Sequence, residues 1–515
     1  MGESGGRAVA SMDPAWASEW HDRRANSALL RQANRGNVLD ELPIVLDRES
    51  PRPLAVQVAD ALRAAATGGL LRAGDRLPST RALAQRLAIS RSVTAAAYEQ
   101  LHAEGWIDGR RGSGTYLTTA PAAAPARRDG STAGTPPGRR YDFAPGAPCV
   151  DALDRAAWRR AWRAAADHPP LVRKDRAGDP AYRAAVADHL LRHRGLVAGA
   201  DTVVLATAGT SAAVGELAAA LLRPGDAVAV ENPGYQRAIG AFRAAGVRVC
   251  PVPVDEHGLR VDRIPAGVRA VYCTPAHQFP LGARMPAARR VQLIEHARRT
   301  GALVVEDDYD GELRYDTAPL PLLAALAPDV VVHLGTTSKI LSPTLGVGWL
   351  VAAPPVAAAV LAHRERTGTS PSPAGQAMLA EFARHGDLAR HLRRLRRTVA
   401  PRRELVVTAL RERGLTVVGD DAGSHVVVPL PGAAAERAAV RAGAAAGLGF
   451  DALGQHHLDG EHQPDEHQPG GERTYGIPLG YTALAWADLV AAVPVAAKCL
   501  AEAAAEGPAG RPTPP

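Results

Sequence analysis

Lysine is almost missing from this chain. Of 60 basic residues only Lys174, Lys339 and Lys498 are lysine, and the rest are arginine. Arginine, alanine, glycine and proline dominate together, which reads as a high-GC coding bias, so arginine richness by itself carries no functional signal. Aromatic residues make up only 4% of the chain, and there are four cysteines. Cys149, Cys250, Cys273 and Cys499 are scattered, which speaks against a paired metal motif or a disulfide framework. They are expected as small buried hydrophobes in a reducing compartment. Long uncharged apolar runs are lacking, and so is an apolar stretch at the N-terminus, so neither a membrane span nor a secretory signal is expected. The expectation is a soluble cytoplasmic protein with no membrane partner. A net charge of +7 permits nucleic-acid binding without showing it.

Against that scarcity, Lys339 stands out. It closes Gly335-Thr336-Thr337-Ser338-Lys339, directly after the apolar run Val330 to Leu334. A lysine, unlike an arginine, can lose its proton near neutral pH and form an imine with an aldehyde. One placed just past a buried strand and beside small hydroxyl residues predicts a Schiff-base site.

At 515 residues the chain exceeds one ordinary core. Residues 1–41 are polar and aperiodic and read as a disordered extension, and 506–515 as a tail. Residues 42–117 are compact and helical in pattern. Residues 118–140 are rich in Pro, Ala, Gly and Arg and read as a linker. Residues 141–505 alternate short apolar runs with helical stretches. The runs are Val203-Leu205, Ala227-Val230, Val247-Val252, Ala270-Cys273, Leu303-Val305 and Val330-Leu334. This alternation predicts a mostly parallel α/β sheet. Gln455 to Gly471 is polar and of low complexity and reads as a surface insertion. Its histidines, His456, His457, His462 and His467, match no compact metal-ligand spacing, and no metal site is expected.

In the first block, Ser79 is placed to cap a helix over Ala82 to Leu87, and Ser90 to cap a second after an Ala88-Ile89 turn. The second helix is expected to bury Val93, Ala97 and Leu101 and to present Arg91, Ser92, Thr94 and Tyr98. Two short strands around Gly109-Arg110-Arg111-Gly112 would make a basic wing, with Arg110 and Arg111 against phosphates. The run RLPSTRALAQRLAISRSVTAAAYEQLHAEGWIDGRRGSGTYL resembles the GntR-type winged helix-turn-helix domain. The resemblance implies sequence-specific binding to double-stranded DNA, with Arg81, Arg91, Ser92 and Thr94 near base edges or phosphates.

In the second block, pieces converge on the aldehyde cofactor that Lys339 suggests. Asp307 and Tyr309 follow the strand Leu303-Val305 and share one face of an extended chain. A carboxylate there can keep a pyridine nitrogen protonated, and the phenol can reach the ring's 3-oxygen. Ala206-Thr207-Ala208-Gly209-Thr210-Ser211 joins a strand to the helix Ala212 to Leu222 and offers N–H groups to a phosphate, with Thr336 adding a hydroxyl. Glu231-Asn232-Pro233-Gly234-Tyr235 can bring an aromatic ring over the cofactor.

In order, VENPGY, TPAHQFPLG, VVEDDYDGELRY and GTTSKILSP resemble the fold-type I aminotransferase domain, a large α/β transferase fold that uses pyridoxal 5′-phosphate. Behind a GntR-type winged helix, this combination resembles the MocR/GabR-type transcriptional regulators. The resemblance implies that Lys339 forms the internal aldimine, Asp307 pairs with the ring nitrogen and Tyr309 contacts the 3-oxygen. Tyr235 stacks on the ring, Thr210, Ser211 and Thr336 serve the phosphate, and His277 and Gln278 lie beside the ring. It also implies a homodimer on a two-part DNA site, sensing pyridoxal phosphate or a small amine or amino acid. Two positions depart from the pattern. Gly346 stands where the family carries a phosphate-clamping arginine, and Pro478 where it carries a carboxylate-gripping one, with Arg473 out of register. Arg173 or Lys174 is expected to supply the missing phosphate charge from the neighbouring subunit. Two readings stay open beside the regulator: an aminotransferase with a fused DNA-binding domain, and a regulator that no longer uses the cofactor covalently.

Overall fold

The computed structural model describes residues 44–68, 70–110, 114–118, 140–169, 172–173, 175–199, 201–315, 320–458 and 473–505. The extension at 1–41, most of the linker, the tail, Arg111, Lys174, His462, His467 and the side chain of Arg110 lie outside the described residues. The chain divides into two compact units, 1–134 and 135–515.

The first unit packs three helices, α1 (Leu54–Thr67), α2 (Thr80–Leu87) and α3 (Arg91–Ala103), against three short strands, β1 (Arg76–Leu77), β2 (Ile107–Arg110) and β3 (Gly114–Leu117). The strands form an antiparallel sheet in the order β1-β3-β2. The helix starts follow from local chemistry. Ser79 Oγ accepts from Ala82 N at 3.1 Å, and Ser90 Oγ accepts from Val93 N at 3.4 Å. The turn between them closes on Ala88, the one non-glycine residue among those described with a positive φ, 49°. The buried stripe of α3 is not the expected one. Thr94, Ala97, Tyr98 and Leu101 face the core, an i, i+3, i+4, i+7 series, and Val93 is only half-buried. Thr94 Oγ1 donates to Thr80 O at 2.9 Å, and Tyr98 OH donates to Pro78 O at 2.8 Å. These two polar side chains therefore tie α3 to the entry of α2 and do not face a groove. Arg81, Arg91 and Ser92 are exposed.

The second unit opens on a two-residue strand, β4 (Tyr141–Asp142), and is built on an eight-stranded sheet. Its strands are β5 (Val203–Thr207), β6 (Ala227–Asn232), β7 (Arg248–Asp255), β8 (Gly258–Leu259), β9 (Ala270–Cys273), β10 (Leu303–Asp308), β11 (Val331–Thr336) and β12 (Gly348–Ala352). The order is β5-β12-β11-β10-β9-β6-β7-β8. The run from β11 to β7 is parallel, while β12 is antiparallel to both its neighbours. The central strands are buried on both faces, and alternate residues enter two separate cores: Val304 and Val331 lie on one side, Val305 and Val332 on the other. A smaller antiparallel pair, His425–Leu430 with Tyr475–Gly480, lies later in the chain.

The arginine-rich stretch 384–403 lies largely in a 26-residue helix, Asp387–Glu412. A run so rich in arginine is ordinarily a solvated face. Arg402 instead is buried, donating to Asp151 and to Leu484 O, because its long stem can cross the core to reach a carboxylate and a carbonyl. All four cysteines are free and buried. No helix among the described residues is long and apolar enough to cross a membrane.

Candidate functional site

The carboxyl ends of β6, β9, β10 and β11 come together, and each delivers one of the loops singled out above. This is the edge at which open α/β sheets place their ligands. Asp307 is the second-last residue of β10 and is 2% exposed. Tyr272 OH, from the neighbouring β9, donates to Asp307 Oδ2 at 2.5 Å. Oδ1 is buried and has no hydrogen-bond partner. Burial pushes the carboxyl up to about 7, against the Tyr272 bond and the nearby Thr210 hydroxyl, which favour its ionised form.

Lys339 lies just beyond β11, and its Nζ donates to Gly146 O. Burial lowers its ammonium pKa, Asp310 and Asp307 oppose the shift, and Arg237 adds to it. Gly146 has φ 88°, and a Cβ built on it would meet Nζ at 2.7 Å, so only glycine admits the lysine here. The phosphate turn also closes on this point. The helix Thr210–Leu221 begins two residues earlier than expected, after Gly209 with φ 113°. A Cβ on Gly209 would stand 3.6 Å from Thr336 Oγ1, so the start of that helix and the lysine loop are neighbours. Thr336 Oγ1 donates to Ser338 Oγ at 2.9 Å, and Ser211 Oγ and Tyr235 OH are 3.0 Å apart.

Tyr309 stands one residue past β10, half-buried, with its hydroxyl 3.0 Å from His277 Nδ1. That nitrogen is also 3.1 Å from Asp310 Oδ2. Burial raises the phenol pKa well above its ordinary value, and the carboxylates of Asp310 and Asp307 add to the effect. Gln278 is fully occupied by scaffold bonds. Its Nε2 donates to Glu231 Oε2, Pro233 O and Phe279 O, and its Oε1 accepts from Leu281 N. It therefore ties the TPAHQFPLG loop to the ENPGY loop. Glu231, whose carboxyl burial pushes up to about 7, completes that tie by accepting from Thr274 N and Oγ1.

Several residues here were not picked out from the sequence. Phe279 is the aromatic hub, edge-on to Tyr235 at 5.6 Å, Tyr309 at 5.9 Å, His425 at 5.7 Å and His456 at 5.1 Å. Asp310, Tyr272 and Glu231 were each next to or inside a recognised motif, but nothing local marked their contacts. His456 was placed in a surface insertion. It is buried instead, and the adjoining chain is fastened to the ENPGY loop by Gly234 N to His456 O and Leu458 N to Asn232 Oδ1. Behind the strand end, Arg194 makes a two-pronged bond to Asp308. Glu312 next to it is held by His189 at 2.7 Å and by Arg396.

Comparison with known proteins decides the class. Residues 141–446 match the aminotransferase class I and II family, and residues 54–117 match the bacterial regulatory proteins of the gntR family. A Corynebacterium glutamicum protein described as the HTH-type pyridoxine biosynthesis transcriptional regulator PdxR is 36% identical over 72% of this chain and 82% of its own. The probable rhizopine catabolism regulatory protein MocR of Rhizobium meliloti is 34% identical over 80% of this chain and 88% of its own. The chain belongs to the MocR/GabR-type transcriptional regulators. The regulator's second unit shares its fold with solved aminotransferases. The α-aminoadipate aminotransferase LysN of Thermus thermophilus, solved with a phosphopyridoxyl-leucine bound, superposes with a TM-score of 0.61 at 25% identity over 72% of this chain and 94% of its own. The multiple substrate aminotransferase of Thermococcus profundus gives 0.63 at 24% identity, over 70% and 91% of the two chains.

Pyridoxal 5′-phosphate is the cofactor of this domain, and the residues present fit it. The orphaned Asp307 Oδ1 is a buried acceptor suited to a protonated pyridine nitrogen, and the helix start after Gly209, with Thr336 Oγ1 beside it, suits a phosphate. When bound, the cofactor supplies an aldehyde to amines and a ring that withdraws electrons. The two departures from the family pattern have clear positions. Gly346 caps a short turn with φ 61°, and Pro478 is buried in the strand Tyr475–Gly480, opposite Val427.

Proposed function

We propose that this regulator is a cytoplasmic homodimer that senses pyridoxal phosphate, or a small amine through it, and reports occupancy to its winged helices. The observation that carries the reading is Asp307: a buried carboxylate with one unpartnered oxygen, electrostatically coupled to Lys339. In this reading Lys339 holds the cofactor covalently, Asp307 pairs with its ring nitrogen and Tyr309 faces the 3-oxygen. Tyr235 covers the ring. Ser211, Thr336 and the N–H groups after Gly209 take the phosphate, with Thr210 shared between phosphate and Asp307. His277 acts through Tyr309, and Gln278 through the loops it joins.

Lys339 also suggests how occupancy is transmitted. Its Nζ bonds Gly146 O, a few residues after the linker assigned to 118–140. A change in what Nζ holds changes what anchors the start of the effector domain, assigned to 141–505, and so biases an equilibrium between its arrangements. The DNA-binding domain, assigned to 42–117, would use Arg81, Arg91 and Ser92 at the duplex, with Arg110 and Arg111 on the wing. Thr94 is released from that role by its burial. The name of the Corynebacterium relative supports vitamin B6 synthesis as the regulated process and the cofactor itself as effector. The loss of arginine at Pro478 argues against an effector held by an α-carboxylate.

The test is a visible absorbance titration of the purified dimer with pyridoxal phosphate. An imine band that disappears in Lys339→Ala is expected, together with a cofactor-dependent change in binding to DNA upstream of the gene's own neighbours. No band in the wild type would refute covalent sensing. Amino-group transfer to a keto acid at an enzyme's rate would move the protein to the aminotransferase reading.

A further inference from the structure

We propose that His277, Asp310 and His425 form a binding site for one divalent ion of the zinc class, set into the wall of the cofactor site. One ligating atom from each of the three lies within 4.8 Å of the other two. The three residues are 1%, 2% and 1% exposed. Two imidazoles and a carboxylate are a ligand set that such ions accept, leaving a fourth position for water or another side chain.

A second observation, independent of proximity, points the same way. On His425 one nitrogen is engaged and the other is buried with nothing to meet. His425 Nε2 is 2.8 Å from Pro280 O, which fixes it as the donor and leaves a lone pair on Nδ1 without a partner. His277 Nδ1 lies 3.1 Å from Asp310 Oδ2 and is the nitrogen that an ion shared with Asp310 would take. A carbonyl holding one ring nitrogen while the other is left free, as Pro280 O does for His425, is how ligating histidines are oriented. A buried polar atom left unmatched costs about 1–3 kcal/mol, and His425 Nδ1 is such an atom within reach of the other two ligands. His277 and His425 are in ring contact, centroids 5.1 Å apart, and His456, with both its nitrogens unpartnered, packs on the shared neighbour Phe279. Zinc–nitrogen bonds of about 2.05 Å in a tetrahedron imply ligand spacings of roughly 3.3 Å, a contraction within reach of side-chain rotation.

The ligands are far apart in the sequence, so spacing along the chain gave no hint of the site. Their place gives the ion a consequence. His277 also touches Tyr309 OH, so ion and cofactor occupancy are thermodynamically linked, each changing the affinity of the other by the same factor. The ion site itself does not depend on the cofactor reading, and the experiment separates the two.

The full-length protein, stripped with a chelator, is titrated with Co²⁺ and followed by its visible ligand-field bands, with and without bound pyridoxal phosphate. Zn²⁺ is then added as competitor. One Co²⁺ per chain, displaced by Zn²⁺, is expected in both states. At least a hundredfold weaker binding is expected in His425→Gln and Asp310→Asn, and unchanged binding in His462→Ala/His467→Ala. No cobalt band in the wild type overturns the site, whatever the variants do. So does a band that survives both site variants while they melt cooperatively, or one that is lost in the insertion variant. Cobalt binding without any imine band would keep the ion site and refute covalent sensing.

Discussion

Gly346→Arg tests the phosphate end of the site directly. The glycine sits at φ 61°, and a Cβ there would meet nothing within 4 Å. A side chain at this position therefore has room, and its backbone strain, about 1 kcal/mol, falls on stability. That strain is present with and without cofactor, so it cancels from the binding constant. The segment is fixed to the lysine loop, since Thr337 N and Oγ1 both donate to Val347 O, at 3.1 and 2.8 Å. An arginine introduced there is thus carried by the same frame as Thr336. A charge-assisted bond to phosphate contributes about 1.5–3 kcal/mol. The variant should bind pyridoxal phosphate roughly 10- to 150-fold more tightly while losing a few degrees of cofactor-free melting temperature. The assay is an absorbance titration of wild type and variant in parallel with thermal melts of the cofactor-free proteins. An unchanged dissociation constant in a variant that still folds would refute the reasoning, because it would mean that no phosphate approaches residue 346. In the wild type the missing charge then has to come from elsewhere. Arg173 is exposed in the isolated chain, and its replacement by alanine should weaken cofactor affinity in the dimer if it serves the neighbouring site.

The remaining predictions concern the charges around β10 and the DNA-facing helices. Asp307→Asn should raise the stability of the cofactor-free protein at pH 8 and lose that advantage toward pH 4. The folded carboxyl titrates near 7 against an ordinary 3.8, so between those values the folded chain keeps a proton that the unfolded chain has released. Wild-type stability therefore falls as pH rises through that window, by about 4 kcal/mol at most, and asparagine removes the dependence. Chemical denaturation across pH reads this out, and bound cofactor should reverse the ranking. Asp308→Ala should cost about 3 kcal/mol in the same assay, because it strips the two-pronged partner from Arg194, with 1% of its side chain exposed, and leaves only Glu312 at 3.7 Å to pair a buried charge. Arg81→Ala and Arg91→Ala should each reduce the slope of DNA affinity against salt by about 1 in fluorescence anisotropy titrations. Thr94→Val should instead lower the melting temperature of the winged helix and leave the salt slope unchanged.

What the sequence disclosed was mostly local. Ser79 and Ser90 could be read as caps because a cap is decided within three residues, and both were found in place. The central parallel strands could be read because they are buried on both faces and so appear as unbroken apolar runs. The antiparallel strand Gly348–Ala352 and the pair His425–Leu430 with Tyr475–Gly480 escaped, because nothing in a short apolar run states which neighbour it will meet. The stripe of α3 was misplaced because the i+4 series from Val93 and the i, i+3, i+4, i+7 series from Thr94 share Ala97 and Leu101, and packing alone chose between them. His456 was misread because a low-complexity neighbourhood says nothing of the aromatic ring waiting for it 177 positions earlier in the chain. In the site, each motif showed where chemistry would gather. Which atoms stay unsatisfied, Asp307 Oδ1 above all, could be known only once the loops had been brought together.

Those unsatisfied atoms bear on why a sensor would discard the phosphate arginine. A protein reports a ligand only when its dissociation constant lies near the ligand's working concentration, since far tighter binding leaves it permanently filled. In the proposed function, the lysine, the buried carboxylate and the aromatic cover would set a chemically selective grip on the aldehyde and the ring. Loss of about 1.5–3 kcal/mol at the phosphate loosens that grip by one to two orders of magnitude without altering what it selects. Gly346 is thus better understood as tuning than as decay: the half of the site that identifies the cofactor is intact, and the half that would make its capture permanent has been relaxed. The same logic predicts the order of effects in the titrations above. Lys339→Ala should abolish the imine band at every concentration, whereas changes at residue 346 should move the midpoint of its appearance and leave its position in the spectrum unchanged.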